Sequence, residues 1–163
     1  MKKMETQSMN LTEIQGTLIG TWTGDNLLRL SWLTPPDYHS PSNLLVAQVA
    51  KGKFLTFTYT WSHEEVAQEG LLMLGYDKEQ EVATAAWVDS WHMSSKIMSC
   101  QGTIDQKGVI DLRGSYEAPP GPDWGWRIVI TAPSDKELQI VMYNCSPEGV
   151  EELAVRADYK RAL

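Results

Sequence analysis

Apolar and polar residues alternate along most of this chain, and this period of two is the feature that most restricts its fold. Leu55, Phe57, Tyr59 and Trp61, for example, are separated by threonines. Successive side chains of a β-strand point to opposite faces, so the alternation predicts strands with one buried and one solvated face. The chain is therefore predicted to be all-β.

Short turn-forming segments separate the alternating runs at regular intervals. About ten strands are predicted, at residues 20–33, 43–50, 53–61, 68–76, 81–89, 97–104, 109–116, 124–132, 137–145 and 150–161. The helical segments predicted are a short N-terminal turn at Leu11–Leu18 and a second one at Ser90–Lys96. Successive hairpins without a long crossover favour a single antiparallel up-and-down barrel over a sandwich.

Size and charge exclude several classes of protein. The 163 residues fit one domain, 1–163, in which we expect 1–10 to be a flexible N-terminal segment. Acidic residues outnumber basic ones 21 to 14, for a net charge of −7, which argues against a nucleic-acid partner. No apolar run predicts a membrane span or a signal peptide. Cys100 and Cys145 are therefore expected to be reduced thiols in the cytoplasm.

The first candidate site residues lie at the end of the fifth predicted strand. This segment combines an acid, Asp89, with an imidazole, His92, and two aromatic surfaces, Trp87 and Trp91. Residues that line a cavity often lie at strand ends of this kind. The alternative is structural, with Asp89 capping a short helix and Trp91 filling one end of the barrel. Both interpretations remain open from the sequence.

A second cluster begins the eighth strand, after a turn that is rich in proline and glycine. Asp123, Trp124, Trp126 and Arg127 could form an aromatic wall with an ion-pairing arginine, or a structural turn with core tryptophans. In an up-and-down meander, the odd-numbered strands finish at the same end of the barrel at which the even-numbered strands start. The two clusters are therefore predicted to share one end of the barrel.

No metal or cofactor is predicted. His39, His63 and His92 lack the spacing of a metal site. Carboxylates such as Glu148 and Glu151 fall in turn-like segments, where solvated surface charge is the simpler interpretation.

Several longer segments resemble a known family. Gly20-Thr21-Trp22 resembles the GxW signature of lipocalin-like (calycin) barrels. The segments LIGTWTG, WVDSWHM, GSYEAPPGPDWGWR and MYNCSPEGVEELAV together resemble an uncharacterised bacterial family, domain of unknown function fifteen seventy-nine. The resemblance implies a lipocalin-like barrel and no particular activity. It also implies that Trp22 closes one end beneath an arginine of the last strand, with Arg161 the better match and Arg156 the second.

The resulting functional hypothesis is non-catalytic binding of a small hydrophobic or aromatic molecule in the barrel interior. The predicted ligand-binding residues are Trp87, Trp91, His92, Asp123, Trp124, Trp126 and Arg127. One alternative is an isomerase, cyclase or hydrolase with His92 as general base, oriented by Asp89 or Asp123. Another is an interaction module that forms a homo-oligomer through a barrel edge or mouth. A haem-binding variant, as in the nitrobindin-like barrels that this fold resembles, would need His92 as its axial ligand, and we do not favour it.

Overall fold

The computed structural model describes residues 11–163, so the predicted flexible segment 1–10 lies outside the described residues. One helix and ten strands form within this range: α1 Leu11–Leu18, β1 Gly20–Arg29, β2 Asp37–Val49, β3 Phe54–His63, β4 Val66–Asp77, β5 Val82–Asp89, β6 Met98–Ile104, β7 Ile110–Tyr116, β8 Trp124–Ser134, β9 Glu137–Cys145 and β10 Glu151–Arg161. Each strand pairs antiparallel with its sequence neighbour, and β1 also pairs with β10. The predicted all-β, up-and-down barrel is confirmed.

The period of two determines which side chains form the core. In β3, Leu55, Phe57, Tyr59 and Trp61 point inward and are buried, whereas the threonines between them point outward. The other strands contribute inward-facing aliphatic and aromatic residues in the same way. Because the sheet is closed, the described strands have no free edge. One alternative from the sequence is a dimer that forms through a free barrel edge. The described strands cannot form such a dimer, because each already pairs with two neighbours.

The largest difference from the predicted strands lies between β1 and β2. The first strand ends at Arg29, and the second begins at Asp37 rather than near residue 43. The polar start of β2 looks like a loop in sequence, but its serines point into the barrel. The Ser42 hydroxyl hydrogen-bonds the Tyr159 hydroxyl at 2.8 Å, and the Ser40 hydroxyl accepts the backbone N–H of Ser62. Buried polar side chains therefore concealed the alternation.

The end of the barrel at which β1 begins is closed by α1 and Trp22. The Trp22 side chain is 1% exposed, and its indole N–H donates to the Leu18 carbonyl at 3.0 Å. The Arg161 guanidinium lies 4.2 Å from the centre of the Trp22 ring. It also donates to the carbonyls of Thr17 and Ile19, which fixes the last turn of α1. The predicted Trp22–Arg161 contact is confirmed, whereas Arg156 pairs with Asp158 on the outer surface.

The two cysteines lie on separate strands, Cys100 on β6 and Cys145 on β9, and they are not bonded to each other. Burial raises the pKa of Cys100 to about 11, so this thiol is protonated at neutral pH. In residues 11–163, no helix has the length and apolar character needed to cross a membrane.

Candidate ligand-binding site

The opposite end of the barrel brings the two predicted clusters together. The Trp87 and Trp126 rings stack with their centres 5.4 Å apart and their planes 11° from parallel. Trp87 is on β5 and Trp126 on β8, so the contact joins segments far apart in sequence. The convergence predicted from hairpin connectivity is confirmed. We refer to this end as the open end of the barrel.

A tight turn after β5 directs Trp91 and His92 back over the open end. One oxygen of the Asp89 carboxylate accepts the backbone N–H groups of both residues at 2.9 Å. The Met93 N–H bonds the Asp89 carbonyl, and the following residues form successive turns rather than a helix. The prediction of a helix at Ser90–Lys96 is therefore wrong, because the Asp89 side chain organises a turn that does not continue as a helix.

The second oxygen of the Asp89 carboxylate anchors a buried polar network. It accepts the Tyr59 hydroxyl at 2.7 Å and the Trp61 indole N–H at 3.3 Å. The Tyr59 oxygen in turn accepts the Trp87 indole N–H at 3.0 Å. Asp89 is only 3% exposed, and its four hydrogen bonds offset the cost of burying it. Burial and the nearby carboxylate raise the pKa of Tyr59 well above its usual value.

Sequence reasoning missed Tyr59 and Trp61 as parts of this site. Both residues appear in the sequence only as inward positions of a regular strand. The feature of the sequence that could have identified them is their polar atoms, because a buried tyrosine hydroxyl or tryptophan N–H needs a hydrogen-bond partner. Their partner Asp89 lies 30 and 28 residues away in the chain.

Four tryptophans surround the imidazole of His92. Its ring centre lies 5.6 Å from Trp61, 5.9 Å from Trp87, 4.8 Å from Trp91 and 5.3 Å from Trp126. We call these four residues the tryptophan cage. Part of the His92 surface remains accessible from the cleft above it. The cage excludes water from most of the ring, and this desolvation lowers the pKa of His92 to about 4.

The site does not contain the hydrogen-bonded acid–base pair that an enzyme with His92 as general base would need, in which Asp89 or Asp123 orients the imidazole. The Asp89 carboxylate contacts the backbone of His92, not its ring. Among residues 11–163, no side chain hydrogen-bonds the His92 imidazole, and Asp123 lines the cleft without contacting it in this way. His92 is therefore a neutral imidazole at pH 7 with no carboxylate to orient it.

A cleft of about 740 Å³ opens above the cage. Aromatic and apolar side chains form just over half of its lining, with Trp91, Met93, Ile97 and Trp126 among them. The charged residues Lys96, Glu117 and Asp123 also line the cleft. Beneath His92, the barrel interior contains a void of about 10 Å³ lined by Tyr59, Asp89 and Met142 among others. That void has room for about one water molecule. The large cavity at this end of the barrel therefore lies at the mouth, whereas the sequence predicts a site in the barrel interior.

Two predicted binding residues lie outside this cleft. Arg127 points to the outer surface, where it forms a bidentate pair with Asp111 at 3.0 and 2.8 Å and also contacts Glu151. The physical reason is the strand alternation, because Trp126 on the same strand points inward. Trp124, the first residue of β8, is partly buried but is not among the residues lining the cleft. The cleft thus includes Trp87, Trp91, His92, Asp123 and Trp126 of the predicted set.

The fold and the mouth cleft define a lipocalin-like barrel. The chain belongs to the family described as protein of unknown function (DUF1579), whose model matches residues 13–161. The fold is similar to the crystal structure of Rv2717c from M. tuberculosis, with 14% identity, a TM-score of 0.62, and coverage of 96% of this chain and 100% of that one. It is also similar to the S-type phycobiliprotein lyase CPES from Guillardia theta, with 14% identity, a TM-score of 0.62, and coverage of 95% and 94%. No curated protein matches the sequence.

Acid is expected to destabilise the barrel through His92. Its pKa is about 4 in the folded protein against an ordinary value of 6.5, so the neutral ring favours folding. This contribution is complete above the unfolded pKa and is lost as the pH falls through the folded pKa. In a His92→Phe variant, the free energy of unfolding should therefore decrease less between about pH 6.5 and pH 4 than in the wild type. Urea titrations monitored by tryptophan fluorescence measure the difference, and parallel pH profiles would contradict the expectation.

Proposed function

We propose that this protein binds a small, flat, largely apolar molecule in the cleft at the open end of the barrel. The observation that carries the proposal is the convergence of Trp87, Trp91 and Trp126 around His92 beneath a cleft of about 740 Å³. Concave, mainly apolar sites with few polar groups are typical of small-molecule binding. The size of this cleft falls within the range of such sites.

The aromatic surface available to the ligand is mainly that of Trp91, because Trp87 and Trp126 are buried. The aliphatic Ile97 side chain, also in the cleft, is exposed as well. Trp91 is 37% exposed, although it packs edge-on against Trp61 and His63. An aromatic ligand could cover its free surface, and aromatic contacts of this kind contribute about 0.5–1.5 kcal/mol beyond the burial of area. Trp91 is therefore the residue whose truncation should weaken binding most directly.

The polar groups of the site favour a ligand that carries a hydrogen-bond acceptor. The Trp126 indole N–H is buried and has no hydrogen-bond partner among residues 11–163. An unpaired buried donor costs about 1–3 kcal/mol, and an acceptor on the ligand would offset this cost if binding displaced the side chains that cover the indole N–H. The neutral His92 ring beside it offers one donor and one acceptor without the cost of burying a charge.

Binding is a better proposal than catalysis at the same place. A general base needs its proton-transfer partner and its orienting group within hydrogen-bond reach. The Asp89 carboxylate instead bonds two backbone N–H groups and two side chains. His92 therefore contributes a flat neutral surface to the proposed site.

A fluorescence titration tests the proposal with Nile red, a flat, uncharged, apolar dye. Trp91→Ala is expected to weaken dye binding about tenfold, the equivalent of roughly 1.4 kcal/mol. Trp32→Ala is the matched control, because Trp32 is 74% exposed and lies outside the cleft. Equal dye affinities for the wild type and Trp91→Ala, or an equal loss in both variants, would contradict the proposed site.

A further inference from the structure

The outer surface of strands β2 to β6 carries an uncharged face. Three rows of directly paired, outward-facing residues cross these strands. The rows are Leu45–Thr58–Leu71–Val88, Ala47–Thr56–Met73–Ala86–Ser99 and Val49–Phe54–Gly75–Thr84–Gln101. We call these fourteen residues the neutral face, since none of them is charged.

The other side of the barrel has a different surface. Outward positions of β7, β8 and β10 carry a network in which Arg113 and Arg127 both pair with Glu151. Farther along β10, Arg156 pairs with Asp158. The network around Glu151 begins at the edge of the neutral face, because Arg113 on β7 pairs with Gln101 on β6. Its charges are matched there by the Arg113–Glu151 ion pair, and the neutral face itself carries none. The largest apolar patch on a protein surface is often functional, and protein–protein interfaces are one such function.

The neutral face combines a ridge and a groove. Leu45, Leu71 and Met73 form the ridge and are 47%, 37% and 41% exposed. Beside the ridge is a groove of about 630 Å³, whose lining includes the small residues Ala86 and Ser99 and, at the β7 edge, Arg113. A two-fold axis through this face would place the ridge of each copy in the groove of the other. Such a pairing is isologous, because the same patch serves both subunits.

We propose that the neutral face is the interface of a homodimer. Two copies that each carry a net charge of −7 repel one another over most of their surfaces. The neutral face lets them approach without opposing like charges. It also supplies both the projecting and the receiving surface, so a second copy of this chain fits it without any further partner.

The size of the face indicates a reversible dimer. Five strands about 4.8 Å apart, with about five residues of 3.3 Å rise along each, give a flat footprint of roughly 400 Å² per subunit. A standard interface buries about 800 Å² of accessible surface per subunit, so this footprint is about half the standard size and corresponds to a weak, transient association. The dimer should therefore form and dissociate with concentration in the micromolar range.

Sedimentation velocity over a concentration series tests the dimer. The wild type is expected to change from monomer to dimer as its concentration rises from about 1 to 200 μM. Met73→Glu should raise the dimer dissociation constant at least about tenfold, because it places a carboxylate on the ridge of both copies. Leu45→Glu should do the same at a second ridge position. The matched control, Lys160→Gln, changes the net charge by the same amount on the far side of the barrel and should leave dimerisation unchanged.

Two results would overturn the proposal. One is a wild-type protein that remains monomeric across the whole series. The other is a dimer that both ridge variants retain with wild-type affinity. Circular dichroism of each variant separates loss of association from loss of folding, since all the substituted positions are exposed. Dye binding at the cleft is measured separately and should be the same in the monomeric variants.

Discussion

Replacing Asp89 with alanine is expected to lower the free energy of unfolding by about 3–5 kcal/mol. The substitution removes the acceptor for four donors at once: the backbone N–H groups of Trp91 and His92, the Tyr59 hydroxyl and the Trp61 indole N–H. Because the site is buried, water cannot readily replace the lost bonds. Equilibrium urea unfolding monitored by fluorescence measures the loss.

Asp105→Ala is the matched control for this prediction. The Asp105 carboxylate also accepts two backbone N–H groups in a turn, those of Lys107 and Val109, but the turn is exposed. We expect a loss of about 1 kcal/mol there, since water can bond the freed donors. Similar losses for the two variants would mean that the buried network around Asp89 adds little beyond ordinary turn capping.

Gly70→Ala is the second substitution with a large expected effect, a loss of about 3 kcal/mol of unfolding free energy. Gly70 pairs with Tyr59 across β3 and β4, and a Cβ atom at this position would overlap the Tyr59 ring. The ring has little freedom to move, because its oxygen bonds both Asp89 and Trp87. The alanine therefore forces either the strand pairing or the polar network to shift.

Gly16→Ala provides the comparison for Gly70→Ala. An added Cβ at Gly16, in the middle of α1, meets no atom within 4 Å. Alanine favours a helix over glycine by about 1 kcal/mol, so this variant should be slightly more stable than the wild type. Thermal unfolding of the two variants gives the comparison. Wild-type stability in Gly70→Ala would show that Tyr59 is not held as tightly as its contacts indicate.

Much of the fold could be predicted from the sequence because it depends on local patterns. Alternation and turn residues predict the strands, and hairpin connectivity then places Trp87–His92 and Asp123–Arg127 at one end of the barrel. The same alternation separates Arg127 from Trp126 and so accounts for the arginine on the outer surface. The contact of Trp22 with Arg161 came from the family resemblance.

The composition of the candidate site was harder to predict because it depends on contacts between distant strands. The Asp89 carboxylate is an ordinary turn residue in sequence, and its partners Tyr59 and Trp61 belong to a regular strand. Only the closed barrel brings their polar atoms together. The position of the cleft likewise depends on how the tryptophan cage fills the interior, and no local pattern encodes that packing.

Native mass spectrometry of the protein purified from its own host tests the central claim most directly. The proposed function predicts a non-covalently bound small molecule on the wild-type protein that is lost or strongly depleted in Trp91→Ala, while Trp32→Ala retains it. A wild-type protein without any bound molecule, or a molecule that Trp91→Ala retains in full, would contradict a ligand site at the open end of the barrel.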